Sequence, residues 1–325
     1  MIQPSNFVHK SLSNWSLNVA VGCRHGCGFC YVPKVSTIKL IGNASAPGPL
    51  AKLGVKDADQ EWGNYVFIRE FNKGAFMASL RRAQEVPRAS LNPDGNRAIL
   101  LCSTTDAYQV TPDRAVNERL ENVVRTSLAL ILEHSDLNVR ILTRGPLARR
   151  DFDLMKKFGP RLTFGMSLPT LNDKLARVYE EHAPAPSRRL ETLRAAKEAG
   201  LHVFVAIAPT YPECDKLDLR RTMRAVAELD PITIYHEPIN ERAGNIDRMR
   251  ELAREAGIEF IGDAAFADKV TAASYQLQQL FHMEHLALEA GMLSRLHLWP
   301  DVSLKKWTSP DFLNRYWNRV SEWPR

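Results

Sequence analysis

The sequence predicts an α/β fold: a partial (β/α)6 TIM-type barrel with a loop or hairpin insertion and a C-terminal helical extension. Six short apolar runs alternate with longer helical patterns, which implies parallel strands joined by helical crossovers. Gly200 and Gly257 each end a predicted helix before an apolar run, as helix-terminating glycines do. The predicted strands are Leu17–Val21, Ala98–Ser103, Val139–Thr143, Leu162–Ser167, His202–Ala208 and Ile232–His236, with Ile258–Ile261 as a further candidate.

Helical patterns fill the intervals between these strands. They cover Ala75–Gln84, Arg114–Glu133, Pro146–Phe158, Asp173–Glu180, Arg188–Ala199, Leu217–Glu228 and Ile246–Ala256. We therefore expect a barrel domain over residues 1–265, interrupted by a lid-like insertion at about 36–72. Residues 266–325 form an extension that packs on the barrel, with a helix near Gln276–Leu293. Its tryptophans are expected to be core or interface anchors rather than base-stacking platforms.

Composition sets the broad class of the protein. The 325 residues are 45% hydrophobic and 25% charged, values that suit a globular protein with a large core. No run of eighteen apolar residues and no signal-like N-terminus are present, so we expect a cytoplasmic protein without a membrane partner. The net charge of +6 favours polyanionic partners such as nucleic acid, although many cytosolic proteins are mildly basic. The sequence does not set the oligomeric state.

Polar and reactive residues follow the predicted strands. Ligands of such folds bind at the carboxyl ends of the strands, where these residues would meet. Loops that served only as connections would not need so many polar groups. The groups are Gly22-Cys23, Ser103–Asp106, Thr143-Arg144, Ser167, Ala208–Tyr211 and His236–Asn240.

Three of the five cysteines, Cys23, Cys27 and Cys30, lie within eight residues after the first strand. Thiolates are the soft ligands of iron–sulfur clusters, and three of them leave one iron of a [4Fe-4S] cluster open to a small molecule. Gly26 and Gly28 allow the backbone to fold tightly around the cluster. A zinc site is the alternative, but it usually needs a second cysteine pair that the sequence lacks.

The spacing Cys-x-x-x-Cys-x-x-Cys after a first strand resembles the radical S-adenosylmethionine superfamily. The resemblance implies that Cys23, Cys27 and Cys30 hold a [4Fe-4S] cluster whose open iron binds S-adenosylmethionine. It also implies reductive cleavage of that cofactor to a 5′-deoxyadenosyl radical, with electrons from a donor such as flavodoxin or ferredoxin. Tyr31 stands where an aromatic residue commonly approaches the adenine.

A closer resemblance, over roughly residues 15–240, is to the "DNA repair photolyase" group, which includes the spore photoproduct lyases. Four ordered segments resemble its motifs: Ser103–Pro112, Leu142–Asp151, Glu180–Arg189 and Ala208-Pro209. The resemblance implies a nucleic-acid lesion or base as substrate. Radical modification of a peptide or small molecule, and a non-catalytic iron–sulfur or zinc-binding protein, remain the alternatives.

The same resemblance implies cofactor-binding roles for Thr105, Asp106, Arg144, Ser167 and Ala208. Each residue also has an ordinary structural interpretation. Thr105 and Asp106 are good helix-capping residues, and Arg144 has a suitable ion-pair partner in Asp151 of the same segment.

The sequence departs from the lyases at two positions. Ser103 stands where they keep a hydrogen-donating cysteine, and Phe29 replaces a tyrosine of their radical relay. Alternation along a strand would point Cys102 away from the site, so we expect a buried core thiol there. Repair of spore photoproduct itself is therefore not expected.

The candidates for catalysis are Cys102, Tyr31 and Glu237. Glu237 and Asn240 follow the sixth strand, where they would bind substrate or the cofactor ribose. Capping of the next helix is the alternative role for both.

Overall fold

A computed structural model describes residues 2–5, 12–34, 48–91, 96–309 and 311. The strands of this part of the chain are β1 (Gln3–Pro4), β2 (Trp15–Leu17), β3 (Ala20–Val21), β4 (Phe67–Ile68), β5 (Ala98–Leu101), β6 (Asn138–Thr143), β7 (Leu162–Ser167), β8 (His202–Thr210), β9 (Thr233–Pro238) and β10 (Leu296–Leu298). Eight of them form one sheet in the order β1-β2-β5-β6-β7-β8-β9-β10. Every pairing in it is parallel except that of β1 with β2. The predicted α/β class is confirmed.

Helices connect the parallel strands. They are α1 (Lys73–Glu85), α2 (Arg114–His134), α3 (Phe152–Lys156), α4 (Asp173–Tyr179), α5 (Pro186–Glu198), α6 (Lys216–Glu228), α7 (Asn245–Glu255), α8 (Gly262–Ala265) and α9 (Lys269–Glu289). Gly200 and Gly257 have φ angles of +83° and +68°, so they end helices in the left-handed conformation, as predicted. No helix of the described residues has both the length and the apolarity needed to cross a membrane.

Two features of the sheet differ from the prediction. The run Ile258–Ile261 is not a strand, because Ile258 and Ile261 are 37% and 51% exposed and only Phe260 packs inward. A seventh parallel strand comes instead from the C-terminal extension, where β10 pairs with β9. The predicted first strand, Leu17–Val21, is divided between β2 and β3, which belong to different sheets.

Residues that alternate along the strands pack into two separate apolar cores, as side chains on opposite faces of a sheet must. The inner core contains Leu12, Leu100, Phe204, Ala206, Tyr235 and Trp299. The outer core, shared with the helices, includes Ile99, Leu101, Val203, Val205 and Ile207. Trp299 stacks on Tyr235 at 4.3 Å between ring centroids, so this tryptophan is the core anchor that the sequence predicted. Trp317 and Trp323 lie outside the described residues.

The insertion forms a small core of its own. β3 pairs antiparallel with β4, and Leu50, Ala58 and Tyr65 pack against Val21 beneath them. The Tyr65 hydroxyl donates to the Ala58 carbonyl at 2.9 Å. In the described part of the insertion, β4 therefore pairs with a strand that precedes the cysteine loop and not with a second strand of the insertion. Residues 35–47 lie outside the described part, so the predicted loop or hairpin remains a prediction.

Candidate active site

The cysteine loop, residues 22–31, starts directly after β3. Within it, the Gly26 amide donates to the Cys23 carbonyl at 3.2 Å and the Cys30 amide to the Cys27 carbonyl at 3.0 Å. Gly26 has a φ of +57°, which disfavours any side chain. A Cβ on Gly28 would lie 2.2 Å from a methyl carbon of Leu252 in α7. Both glycines therefore serve the tight fold predicted for this loop.

The three cysteines present their thiols to one small cavity. Cys27 is buried, Cys23 and Cys30 are half-buried, and all three are free thiols. The cavity has a volume of about 180 Å³. Its other lining residues are His25, Phe29, Val32, Trp62, Cys102, Ser103, Thr104, Thr105, Asp106, Leu142, Thr143, Arg144 and Ser167. The ends of β5, β6 and β7 therefore meet the cysteine loop here, as the sequence predicted.

Burial raises the pKa of the Cys27 thiol to about 12, although Arg144 opposes the shift. Burial likewise raises the pKa of Cys23 and of Cys30. A metal centre must therefore displace the protons and stabilise the thiolates by its own charge. Among the described residues, no three His, Cys, Asp or Glu side chains are grouped as ligands of a single metal ion. In a [4Fe-4S] cluster each cysteine binds a different iron, so the donor set fits that group.

Asp106 ties the cysteine loop to two strand ends. Its Oδ1 accepts from the Thr143 hydroxyl at 2.6 Å and the Tyr108 amide at 2.8 Å. Its Oδ2 accepts from the Arg144 amide at 2.9 Å and lies 3.1 Å from His25 Nε2. Burial would raise the pKa of Asp106, but these partners outweigh burial and hold that pKa well below its usual value.

Thr105 binds the same loop one residue earlier in the chain. Its hydroxyl donates to the Gly22 carbonyl at 2.5 Å and accepts from Gln109 Nε2 at 3.0 Å. Gln109 Oε1 in turn accepts from the Arg24 amide at 2.7 Å. Thr105 and Asp106 do not cap a helix, because α2 begins at Arg114 and is capped by Asp113.

Arg144 lines the cavity beside a buried ion-pair network. Its Nε donates to Glu180 Oε2 at 3.1 Å, and its guanidinium carbon lies 5.4 Å from the centre of the Phe29 ring. Glu180 also accepts from Arg189 and, at 2.5 Å, from the Tyr211 hydroxyl. Burial would raise the pKa of Glu180, but Arg144, Arg189 and Tyr211 lower it to about 2.

The alternative partner of Arg144, Asp151, lies elsewhere. Asp151 Oδ1 accepts from Arg125 Nη1 of α2 at 2.5 Å. Arg144 therefore faces the cavity and Glu180. The glutamate and the arginine that end the Glu180–Arg189 segment meet in one buried contact, which their spacing alone did not indicate.

Cys102 is buried and belongs to the outer core, as expected, but it also lines the cavity. Strand β5 ends at Leu101, so strict alternation no longer holds at the next two residues. Both Cys102 and Ser103 line the cavity. Ser103 accepts from Asn18 Nδ2 at 3.0 Å, and Asn18 Oδ1 accepts from the Ser103 and Thr104 amides at 2.8 and 3.0 Å. Burial raises the pKa of Cys102 to about 12.

Ser167 ends β7 at the cavity, and its carbonyl accepts from Arg189 Nη1 at 3.2 Å. Ala208 is half-buried and packs against the inner core. Tyr31, Ala208 and Glu237 are not among the described residues that line the cavity. Their predicted roles in binding or catalysis remain predictions.

Tyr31 and Glu237 belong to a neighbouring polar group. The Arg242 guanidinium carbon lies 5.6 Å from the Tyr31 ring centre, and Arg242 Nη2 donates to Asp301 Oδ2 at 2.6 Å. Asn240 Nδ2 donates to Glu237 Oε1 at 3.3 Å and to Asp301 Oδ2 at 3.1 Å. Glu237 and Asn240 do not cap α7, which follows Gly244.

Sequence reasoning missed Arg248 of α7. Its Nε donates to the Gly28 carbonyl at 3.0 Å, its Nη2 to the Cys30 carbonyl, and its Nη1 to Asp59 Oδ1 at 2.9 Å. Asn245 adds a bond from Nδ2 to the Phe29 carbonyl at 3.4 Å. An arginine more than 200 residues from the motif carries no local signal of this contact.

Comparisons with known proteins agree with the geometry. The sequence model of the radical S-adenosylmethionine superfamily matches residues 17–226. An uncharacterized protein of Acidianus two-tailed virus is 28% identical over 273 residues, which cover 78% of this chain and 79% of the relative. An uncharacterized protein of Methanocaldococcus jannaschii is 23% identical over 233 residues, which cover 71% of this chain and 72% of the relative.

The fold is also similar to that of solved structures. A spore photoproduct lyase variant with bound AdoMet and dinucleoside spore photoproduct has a TM-score of 0.61 at 12% identity, covering 92% of this chain and 78% of that chain. Another variant of that lyase has a TM-score of 0.62 at 10% identity, with the same coverage. At these identities the similarity concerns the fold.

Proposed function

The chain belongs to the radical S-adenosylmethionine superfamily, and from that premise we propose that it is an enzyme acting on a nucleic-acid lesion or base. Members of the superfamily use a [4Fe-4S] cluster and S-adenosylmethionine. Held by the three cysteines and reduced by an external donor, the cluster would supply one electron to S-adenosylmethionine, whose C5′–S bond would break to give methionine and a 5′-deoxyadenosyl radical. One observation carries the proposal: three cysteine thiols and three strand ends line the same cavity.

In this proposal Cys23, Cys27 and Cys30 hold the cluster. Arg144 keeps a positive charge at the cavity wall, because Glu180 fixes its guanidinium there. Asp106 and Thr105 position the cysteine loop through their hydrogen bonds to it. Phe29, Val32 and Leu142 contribute apolar walls that limit water around the thiols.

The substrate class rests on two further supports. The Ser103–Pro112 segment resembles a motif of the DNA repair photolyase group, and the chain carries a net charge of +6. A lyase of that group shares the fold and has been solved with a dinucleoside lesion. We propose a lyase-like reaction in the cytoplasm, with a small electron-transfer protein such as flavodoxin or ferredoxin as the partner.

Cys102 is the candidate hydrogen donor in this proposal. It lines the cavity without belonging to the cluster set, whereas Tyr31 and Glu237 lie outside the lining. Donation of the thiol hydrogen atom to a carbon radical would form a C–H bond and leave a thiyl radical on Cys102. The raised pKa keeps the thiol protonated at neutral pH, as this step requires.

The test is anaerobic reconstitution of the cluster followed by reduction with dithionite in the presence of S-adenosylmethionine. We expect 5′-deoxyadenosine to form, and its yield to rise with ultraviolet-irradiated DNA more than with a peptide mixture. Cys27→Ala is the control, because it removes one cluster ligand. Absence of 5′-deoxyadenosine from the loaded wild type would refute the enzymatic proposal. If peptides raised the yield of 5′-deoxyadenosine more than DNA did, the substrate would be a peptide and not a nucleic acid.

A further inference from the structure

A large open groove lies next to the cavity and is built by the same loops. Its volume is about 1060 Å³, at the upper end of what small-molecule pockets occupy. Arg24 of the cysteine loop lines the groove, while His25 and Cys27 of that loop line the cavity. Pro146 likewise lines the groove two residues after Arg144. No described residue lines both spaces, but the cysteine loop and the segment 144–146 each contribute near neighbours in sequence to both linings.

Four arginines give this groove its charge: Arg24, Arg149, Arg177 and Arg188. We call it the arginine groove. Arg149, Arg177 and Arg188 are exposed, and Arg24 is half-buried. Arginine is the side chain best suited to phosphate, because its planar fork of N–H donors matches the phosphate oxygens.

Little negative charge compensates these arginines within the described part of the chain. Arg188 lies 4.0 Å from Glu191, at the limit of an ion pair. Arg149 Nε donates to the Thr192 hydroxyl at 3.2 Å, and Arg177 Nη1 donates to the Glu181 carbonyl at 2.7 Å. Glu181 is the acidic residue of the lining, so the groove keeps an excess of positive charge.

Apolar side chains lie between the arginines. Val110 is 59% exposed and Leu147 is 36% exposed, and Pro112 and Pro146 lie beside them. Exposed apolar side chains that line a concave surface are a common feature of binding sites. A nucleic-acid strand matches both properties, because its phosphates carry regular negative charge and its unstacked bases offer flat apolar faces.

We propose that the arginine groove binds the sugar–phosphate backbone of a nucleic-acid strand on one side of the nucleotide that reacts. The inference rests on the proposed function and adds where the strand lies. Arg149 and Arg177 contact phosphates, and Val110 and Leu147 contact bases or sugars. The strand then reaches the cavity over the cysteine loop at Arg24.

The experiment measures binding of a fluorescent 20-nucleotide single-stranded DNA to the cluster-loaded protein across a salt series. We expect Arg149→Gln/Arg177→Gln to weaken binding about tenfold or more, because two phosphate contacts are lost. The slope of log affinity against log salt should fall by about 0.7 for each lost contact. Arg221→Gln/Arg254→Gln is the matched control, since both arginines are exposed and lie outside the groove lining.

The outcomes separate the groove from the proposed function. Equal loss in both double variants, or in neither, overturns the groove and leaves a nucleic-acid substrate in place. If the wild-type protein bound poly-glutamate peptide but neither DNA nor RNA, both the proposed ligand of the groove and the proposed substrate class would be wrong. Cluster absorbance and urea unfolding of each variant show that a loss of binding is not a loss of folding.

Discussion

The cysteine loop is held on two sides by different chemistry. On its strand side, Thr105, Asp106 and Gln109 form short hydrogen bonds from one loop after β5. On its helix side, Arg248 and Asn245 of α7 donate to three carbonyls of the loop. The strand side thus places a negative carboxylate against the loop, whereas the helix side places a positive guanidinium there.

The two sets of contacts hold the three-cysteine loop in place even when no metal is bound to it. Once the cysteines are thiolates the loop is strongly negative, and Arg248 donates to the carbonyl of Cys30 itself. Groups beyond the ligands tune a metal site through such contacts. The carboxylate of Asp106 instead contacts the loop through His25, and its negative charge helps to raise the pKa of the Cys23 thiol after the larger effect of burial. We expect the strand side to contribute more to folding and the helix side more to the retention of the cluster.

The largest expected effect comes from the strand side. Asp106→Asn should lower the free energy of unfolding by about 3 kcal/mol, because the amide group faces backbone and hydroxyl donors in a buried site. Urea denaturation of the metal-free protein measures this change. Asp153→Asn, at a carboxylate whose side chain is 65% exposed, is the control and should cost less than about 1 kcal/mol. Equal costs for the two variants would contradict the assignment of Asp106 as a tie between the loop and the strand ends.

The helix side should give a smaller change in stability and a clear change in the metal centre. Arg248→Met should lower the free energy of unfolding by about 2 kcal/mol, since two loop carbonyls lose their donor. It should also lower the iron content per chain after reconstitution and desalting. Arg250→Met, which removes exposed ion pairs on the same helix, is the control. A variant at 248 that keeps its full iron content would refute the proposed division between the sides.

Acid should weaken the contacts of two buried carboxylates, Asp106 on the strand side and Glu180 beside Arg144, before it weakens the contacts of Arg248 on the helix side. The folded-state pKa values of Asp106 and Glu180 are lowered, and that of Glu180 falls from 4.5 to about 2. Their contribution to stability is therefore complete above about pH 4.5 and is lost as the pH falls toward 2. Each carboxyl contributes a slope of at most about 1.4 kcal/mol per pH unit.

Unfolding measured between pH 5 and pH 3 checks this prediction. Asp106→Asn and Glu180→Gln should each make stability less dependent on pH than in the wild type. Arg248→Met should keep the wild-type slope, because its guanidinium does not titrate in this range. If stability became less dependent on pH in Arg248→Met and not in the two carboxylate variants, the prediction would be wrong.

The smallest expected effect is at Thr105. Thr105→Val removes the hydroxyl that donates to the Gly22 carbonyl and should cost about 1 kcal/mol. Thr126→Val, at an exposed hydroxyl on α2, is the matched control and should cost less. A thermal unfolding series compares the two, and a larger loss at Thr126 would count against the role of Thr105.

Much of the fold could be predicted because the strands are short apolar runs between helical patterns. β6 and β7 were predicted to within one residue, and β5 was predicted from its correct start. The prediction of a strand at Ile258–Ile261 was wrong, because an apolar run alone does not show which side chains become buried. β10 was missed because three residues, Leu296–Leu298, are too few to show a period.

Some residues of the candidate site could likewise be predicted from the sequence, and others could not. Arg144 and Ser167 reach one cavity because parallel strands place their carboxyl ends at one edge of the sheet. The three cysteines reach the same cavity on a loop that follows β3 of the smaller sheet. Cys102 is the buried core thiol that was expected, but it also lines the cavity, because the strand stops one residue before it. Arg248 could not be found, because its contacts with the loop cross more than 200 residues of chain.

The α/β class, the cysteine loop and the strand ends near it could be predicted from the sequence alone, because these features depend on local periodicity and spacing. Tertiary packing brings together polar groups that are distant in sequence: Arg144 with Glu180, Asp106 with His25, and Arg248 with the loop carbonyls. It also gathered four arginines from separate segments into one groove. Such contacts follow from the packing of distant elements, and a linear pattern carries no record of it.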